Sequence, residues 1–179
     1  MNRLQALNPS TTTGKSKQLF DGVQAKLGMV PNMMRTMGNS PAVLEGYLNL
    51  SGALSRGKLG AKLGELIALT VSEANECDYC LSAHSFIGEK LVKINRTELE
   101  AAREGRNNNP KVQAALLFAL ALVEKAGRVS DQDVQLVKDA GYSEGEISEI
   151  VAHVALNTLT NYFNNTANTT IDFPVLEAA

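Results

Sequence analysis

The apolar residues of this chain recur at steps of three and four, and no stretch of useful length alternates them at the step of two that a half-buried strand requires. That periodicity restricts the fold to packed helices. Residues 17–27 carry Leu19, Phe20, Val23 and Leu27 at helical spacing before Gly28, and Pro31 can open a short helix after it. A helix begins at Pro41 with Leu44, Leu48 and Leu54 on one side, and SRGK (55–58) breaks it. Residues 59–75 hold Leu63, Leu66, Ile67 and Val71 on the 3.6 period. Asn95 caps a helix that Gly105 stops, and the apolar stretch 110–126 after Pro110 reads as a central helix. Ser130 with Asp133, and Ser143 with Glu146, mark the starts of two more. These signals predict an all-α domain of seven or eight helices over residues 16–179, after a polar, flexible N-terminal arm over residues 1–15. Met29, Met33, Met34 and Met37 are helically spaced and read as core or channel lining, since methionine fills irregular gaps.

Composition removes several functions. A chain of 179 residues suits one domain, and 17 basic against 19 acidic side chains leave a net charge of -2. That balance, with 5% aromatic residues and no Trp, argues against nucleic acid as a partner. There is no run of 18 apolar residues and no signal-like N-terminus, so no membrane association and a cytoplasmic location are expected. No dinucleotide glycine motif or phosphate loop is present, and no cofactor is expected.

Two cysteines, Cys77 and Cys80, stand three apart, and one of only two histidines, His84, follows a helical turn later. In a helix all three share a face. A neutral imidazole one turn away can take the Cys80 proton, and the thiolate is the reactive species. The second thiol resolves an oxidised first one by forming a disulfide. Because the candidate base is adjacent to Cys80, we read Cys80 as the nucleophile and Cys77 as its resolving partner. Glu65 interrupts an apolar run on the preceding helix; packed against the cysteine helix, it could orient or deprotonate His84. His153, Asn157 and Asn161 follow one another at turn spacing, continued by Asn164 or Asn165 and Asn168. They read as a polar helix-contact face or as a rim near the cysteines, with His153 partly buried between Val151 and Val154.

The stretch ELIALTVSEANECDYCLSAHSFIGE, a Glu followed after eleven residues by CxxCxxxH, resembles the carboxymuconolactone decarboxylase / AhpD-like alkylhydroperoxidase family in its peroxidase-related branch. VPNMMRTMGNSPAVLEGYLNLSGAL and NYFNNTANTTIDFP extend the likeness over nearly the whole chain. The resemblance implies an AhpD-like helical domain with a redox motif at 65–84: Glu65 as relay, Cys77 resolving, Cys80 peroxidatic and His84 as base. It implies a peroxidase that reduces a small-molecule hydroperoxide and is regenerated by a dithiol or protein thiol reductant. It also points to a symmetric homo-oligomer, a trimer or hexamer, which the apolar surplus of 29–37, 59–75 and 110–126 supports. Tyr79 stands where the best-known peroxidase members carry a histidine; it can donate a hydrogen bond but is no base at neutral pH. Muconolactone decarboxylases lack the paired cysteines, so decarboxylation is not expected. A redox sensor or interaction protein would use the same thiols. A Cys/His metal module would need a second ligand pair, which the sequence lacks.

Overall fold

The structure is a computed structural model that describes residues 2–174; Met1 and residues 175–179, the ends of the expected arm and tail, lie outside them. The described residues form nine α-helices, one π-helical turn and no strand. These are α1 (Gly14–Leu27), α2 (Asn32–Met37), α3 (Pro41–Leu54), α4 (Gly60–Ala74), α5 (Asp78–Phe86), the π-helical turn Ile87–Leu91, α6 (Arg96–Arg103), α7 (Pro110–Glu124), α8 (Asp131–Asp139) and α9 (Glu144–Ala167). The sequence signals hold at most helix ends. Asn95, Asn109, Ser130 and Ser143 each accept backbone N–H groups of the first turn they cap, and the last two form full capping boxes. Gly28 ends α1 at φ 77, a left-handed conformation that costs a residue without Cβ nothing.

The centre of the fold is α4, not α7. Every residue from Leu66 to Ser72 is buried, and α4 packs against α5, α6, α7 and α9. The all-round apolar character of α7 reflects a surplus on its outer side, where Leu117 stands 54% exposed. One polar residue on the α4 core face is accommodated by hydrogen bonding: the Thr70 hydroxyl lies 3.0 Å from the Leu66 carbonyl oxygen and 2.6 Å from that of Ala102 on α6. The larger core joins α4 to α6, α7, α8 and α9 through Leu66, Ile67, Leu99, Leu116, Val137 and Ile150.

A second cluster holds both cysteines. Phe20, Val23, Met33, Met34, Met37 and Leu44, from α1, α2 and α3, pack with Cys77, Tyr79, Cys80 and Ala83. The N-terminal segment read as an arm runs back across this layer, with Arg3 N–H donating to the Ala167 carbonyl at 2.8 Å and Leu7 exchanging bonds with Arg35. α1 starts at Gly14 rather than at residue 17, because Ser16 turns inward to donate to the Gly38 carbonyl at 2.7 Å. The helix after the cysteines widens into the π-helical turn at 87–91. There Gly88 is buried under Leu99, which lies 2.7 Å from where a Cβ would stand.

Ile67 is fully buried on α4. Ile67→Ala is expected to cost about 2–5 kcal/mol of stability through lost contacts and the cavity left behind. In a chain of this length that lowers the melting temperature on the order of 10 °C, measurable by calorimetry.

Candidate active site

The site begins at the junction of α4 and α5. Glu76 adopts φ 51, a left-handed conformation that breaks the helix, and the Cys77 N–H donates back to the Ser72 carbonyl at 2.9 Å. Cys77 is therefore the N-cap of α5 rather than a member of it, with its Sγ accepting the Cys80 N–H at 3.3 Å. The expected face shared by three helical residues becomes a cap and one helical turn. The two cysteines are joined as a disulfide, with Cα atoms 5.3 Å apart. They differ in access. Cys77 is wholly enclosed, whereas Cys80 lines a cavity of about 330 Å³.

His84, one turn beyond Cys80, also lines that cavity, and its Nδ1 meets Glu65 Oε2 at 2.8 Å. With Nδ1–H donated to the carboxylate, the neutral ring keeps Nε2 as an acceptor. Glu65 is 18% and His84 23% exposed in their side chains, so the pair is screened from bulk water yet open to the cavity. The Glu65 carboxylate is thus turned inward, toward the cavity and His84. Burial, with the Glu65 charge adding to it, raises the phenol of Tyr47 on the facing helix α3 to about 12.

His153 and Asn157 line the same cavity from α9. The His153 ring makes no hydrogen bond among the described residues; it packs on Gly64, with Cε1 3.2 Å from the position a Cβ would take. Burial holds its pKa below the ordinary 6.5, opposed by the charges of Glu149 and Glu65 and reinforced by His84. Asn157 donates from Nδ2 to the His153 carbonyl at 2.8 Å. Asn161, expected beside them, is fully buried away from the cavity. It donates to Ser72 Oγ at 3.2 Å and accepts from Asn75 Nδ2 at 3.0 Å, tying α9 to the end of α4.

Tyr79 lines the cavity with its ring, but its hydroxyl points elsewhere. It donates to Asp172 Oδ1 at 2.9 Å and accepts the Met33 N–H at 3.2 Å, while Asp172 Oδ2 accepts the Asn32 N–H at 2.7 Å. Burial raises the phenol far above its ordinary range, with Asp172 adding to the effect, so it remains a donor. Phe173 stands edge-on to Tyr79, with ring centroids 5.8 Å apart, and closes one side of the cavity. Asp172, Phe173 and Tyr47 were not singled out from the sequence, because only the chain's return over α2 and α5, and for Tyr47 the packing of α3 beside the cavity, gives them a place. Met29, Met33 and Met34 line the cavity, as the methionine spacing suggested. Among the described residues no three His, Cys, Asp or Glu side chains are grouped as metal ligands, and no helix is long and apolar enough to cross a membrane.

The unpartnered imidazole of His153 has a measurable consequence. Its NMR titration should give a pKa below 6.5 in the folded protein. The unfolded chain then binds the proton first, so stability contributed by neutral His153 is complete above pH 6.5 and is lost as pH falls from there through the folded pKa. His153→Gln should flatten that part of the stability–pH curve in denaturant titrations.

The sequence profile of the carboxymuconolactone decarboxylase family matches residues 41–121, which span α3 to most of α7 and contain Glu65, Cys77, Cys80 and His84. None of the curated proteins matches the chain significantly. Among solved structures, a peroxidase-related protein of Ralstonia eutropha JMP134, described as an alkylhydroperoxidase AhpD core, superposes with a TM-score of 0.85 at 24% identity over 96% of this chain and 92% of its own. A peroxidase-related protein of Silicibacter sp. TM1040 gives 0.80 at 21% identity over 95% and 94%. The debrominase Bmp8 gives 0.80 at 27% identity over 95% and 92%, and it has also been solved with 2,3,4-tribromopyrrole. Residues 41–121 thus carry the sequence pattern of the carboxymuconolactone decarboxylase family, with a cysteine pair joined at the expected spacing, and the chain as a whole shares its helical fold with these solved structures.

Proposed function

We propose that the protein is a thiol-dependent peroxidase in which Cys80 attacks a hydroperoxide and Cys77 resolves the product. The observation that carries this is the difference in access: Cys80 and the His84–Glu65 pair line one cavity, while Cys77 is sealed beside them. Cys77, as N-cap, accepts a backbone N–H of the helix start, a position that alone would favour it as nucleophile. Access decides against that, because a peroxide must reach the sulfur in line with its O–O bond. The cap instead suits the resolving role, where a thiolate is needed next to an oxidised sulfur.

In the first step His84 Nε2 takes the Cys80 proton. The thiolate attacks the outer peroxide oxygen, an S–O bond forms, the O–O bond breaks, and the leaving alkoxide takes the proton back from His84 as an alcohol. Glu65 holds the ring in the required tautomer and stabilises the imidazolium. Cys77 then attacks the Cys80 sulfenic acid and releases water, and an external dithiol or protein thiol reduces the disulfide. Tyr79, His153 and Asn157 border the substrate's space without serving as the base.

A second reading is favoured by the likeness to Bmp8 and by the apolar walls around Cys80: the same two thiols could replace an aromatic C–Br bond by C–H, releasing bromide and ending as the same disulfide. Homo-oligomerisation is part of the proposal. It is supported by large apolar side chains on the outside of α7, α8 and α9, among them Leu117, Leu136 and Tyr162.

Peroxide consumption with a dithiol donor tests the main reading. Cys80→Ser should abolish it. Cys77→Ser should react with one equivalent and accumulate a sulfenic acid at Cys80 that mass spectrometry detects. His84→Ala and Glu65→Gln should each slow Cys80 oxidation on the order of tenfold to thousandfold. Bromide release from a bromopyrrole with no peroxide turnover would replace this reading by the second. Sedimentation at micromolar concentration should give more than one chain per particle.

A further inference from the structure

Asn164 lies on α9 in the asparagine-rich stretch and does not border the cavity. It is 2% exposed, and its Nδ2 donates to the Cys80 Sγ at 3.3 Å. Among the described residues no other side chain outside the cysteine pair hydrogen-bonds that sulfur. The same amide has a buried Oδ1 with no partner. Leaving a buried polar atom unpaired is unfavourable, and an apolar side chain of this volume would avoid it. The neighbouring asparagines do not share this feature: Asn161 is paired at both amide atoms, and Asn165 donates to the Asn75 carbonyl as a plain helix-to-turn tie. The distinctive property of Asn164 is therefore its contact with the reacting sulfur.

Cys80 has need of such a contact. The N–H at the start of α5 that could favour a thiolate is directed at Cys77, whose Sγ accepts it from the Cys80 backbone. The Cys80 sulfur is buried at 2% exposure, and burial disfavours its charged form. His84 can take the proton but leaves the negative sulfur to be stabilised by something else.

We propose that Asn164 is a catalytic residue that binds the Cys80 thiolate through its Nδ2–H, from outside the cavity lining, and so favours the ionised form of that sulfur. This rests on the reading of Cys80 as the attacking thiol. The bond is made before the peroxide arrives and weakens as charge leaves the sulfur for the departing oxygen. Its main effect is consequently on how much thiolate is present, not on where the substrate binds.

The test measures the thiolate directly, without peroxide. In a Cys77→Ser background Cys80 is the only thiol, and its iodoacetamide alkylation rate against pH reports its pKa. Asn164→Leu removes the donor at similar volume, and the profile should move up by about one unit, near tenfold less thiolate below the pKa. Asn164→Asp replaces the donor by an acceptor carrying negative charge and should move it further. Circular dichroism and the melting temperature establish that a variant is folded, and whichever of the two folds suffices. An unchanged profile in a folded variant overturns the proposal and makes Asn164 a structural tie between α9 and α5. A shifted profile in a protein whose wild type turns over no peroxide leaves Asn164 as the thiolate's partner and removes the peroxidase reading instead.

Discussion

The left-handed residue at Glu76 governs what the rest of the site can do. It ends α4, turns the chain back, and delivers Cys77 to the cap of α5 so that one sulfur lies at the helix start and the other one turn inside. Backbone in this region costs a residue with a side chain about 1 kcal/mol or more, so it must be held. The Cys77 N–H bonded to Ser72, and the Asn75 side chain and carbonyl bonded to Asn161 and Asn165, supply that hold. The buried asparagines of α9 thus support the junction from behind while the cavity faces it from the front.

The cavity combines apolar walls with a small set of polar groups whose surroundings assign their states. Glu65 is paired with His84 and is close enough to oppose ionisation of Tyr47. His153 is kept neutral by burial, and Tyr79 is fixed as a donor by Asp172. Of the groups on the wall, His84 alone joins a free ring nitrogen to a bonded carboxylate, on the helix that also brings Cys80 to the cavity. The remaining side chains shape the space. Phe173 does so at nearly a right angle to Tyr79, from a segment more than ninety residues further along the chain.

The N-terminal layer explains why the site is enclosed. Without α1–α3, the face of α5 carrying Tyr79, Cys80 and Ala83 would meet water; with them it shares a core with Phe20, Met34 and Leu44. The methionines provide this cover with unbranched side chains that tolerate an irregular wall, and three of them reach the cavity.

Local signals were enough for much of this. Helical periodicity, caps at Asn95, Ser130 and Ser143, and the spacing of Glu65, Cys77, Cys80 and His84 were legible because each depends on residues a few positions apart. That Glu65 would meet His84 followed from two adjacent helices, and they do meet. Sequence periodicity could not tell a buried hub from an exterior apolar face, so α7 read as central while α4 holds that place. Nor could it separate Asn157, on the cavity, from Asn161, behind it, or single out Asn164 against the sulfur, since turn-spaced asparagines look alike until packing assigns each a neighbour. The chain by itself determined which reactive side chains stand at helical spacing; the tertiary structure decided which of the two cysteines borders the cavity. Access is a property of the helices and tail that close around Cys77 and Cys80, and no local pattern encodes it.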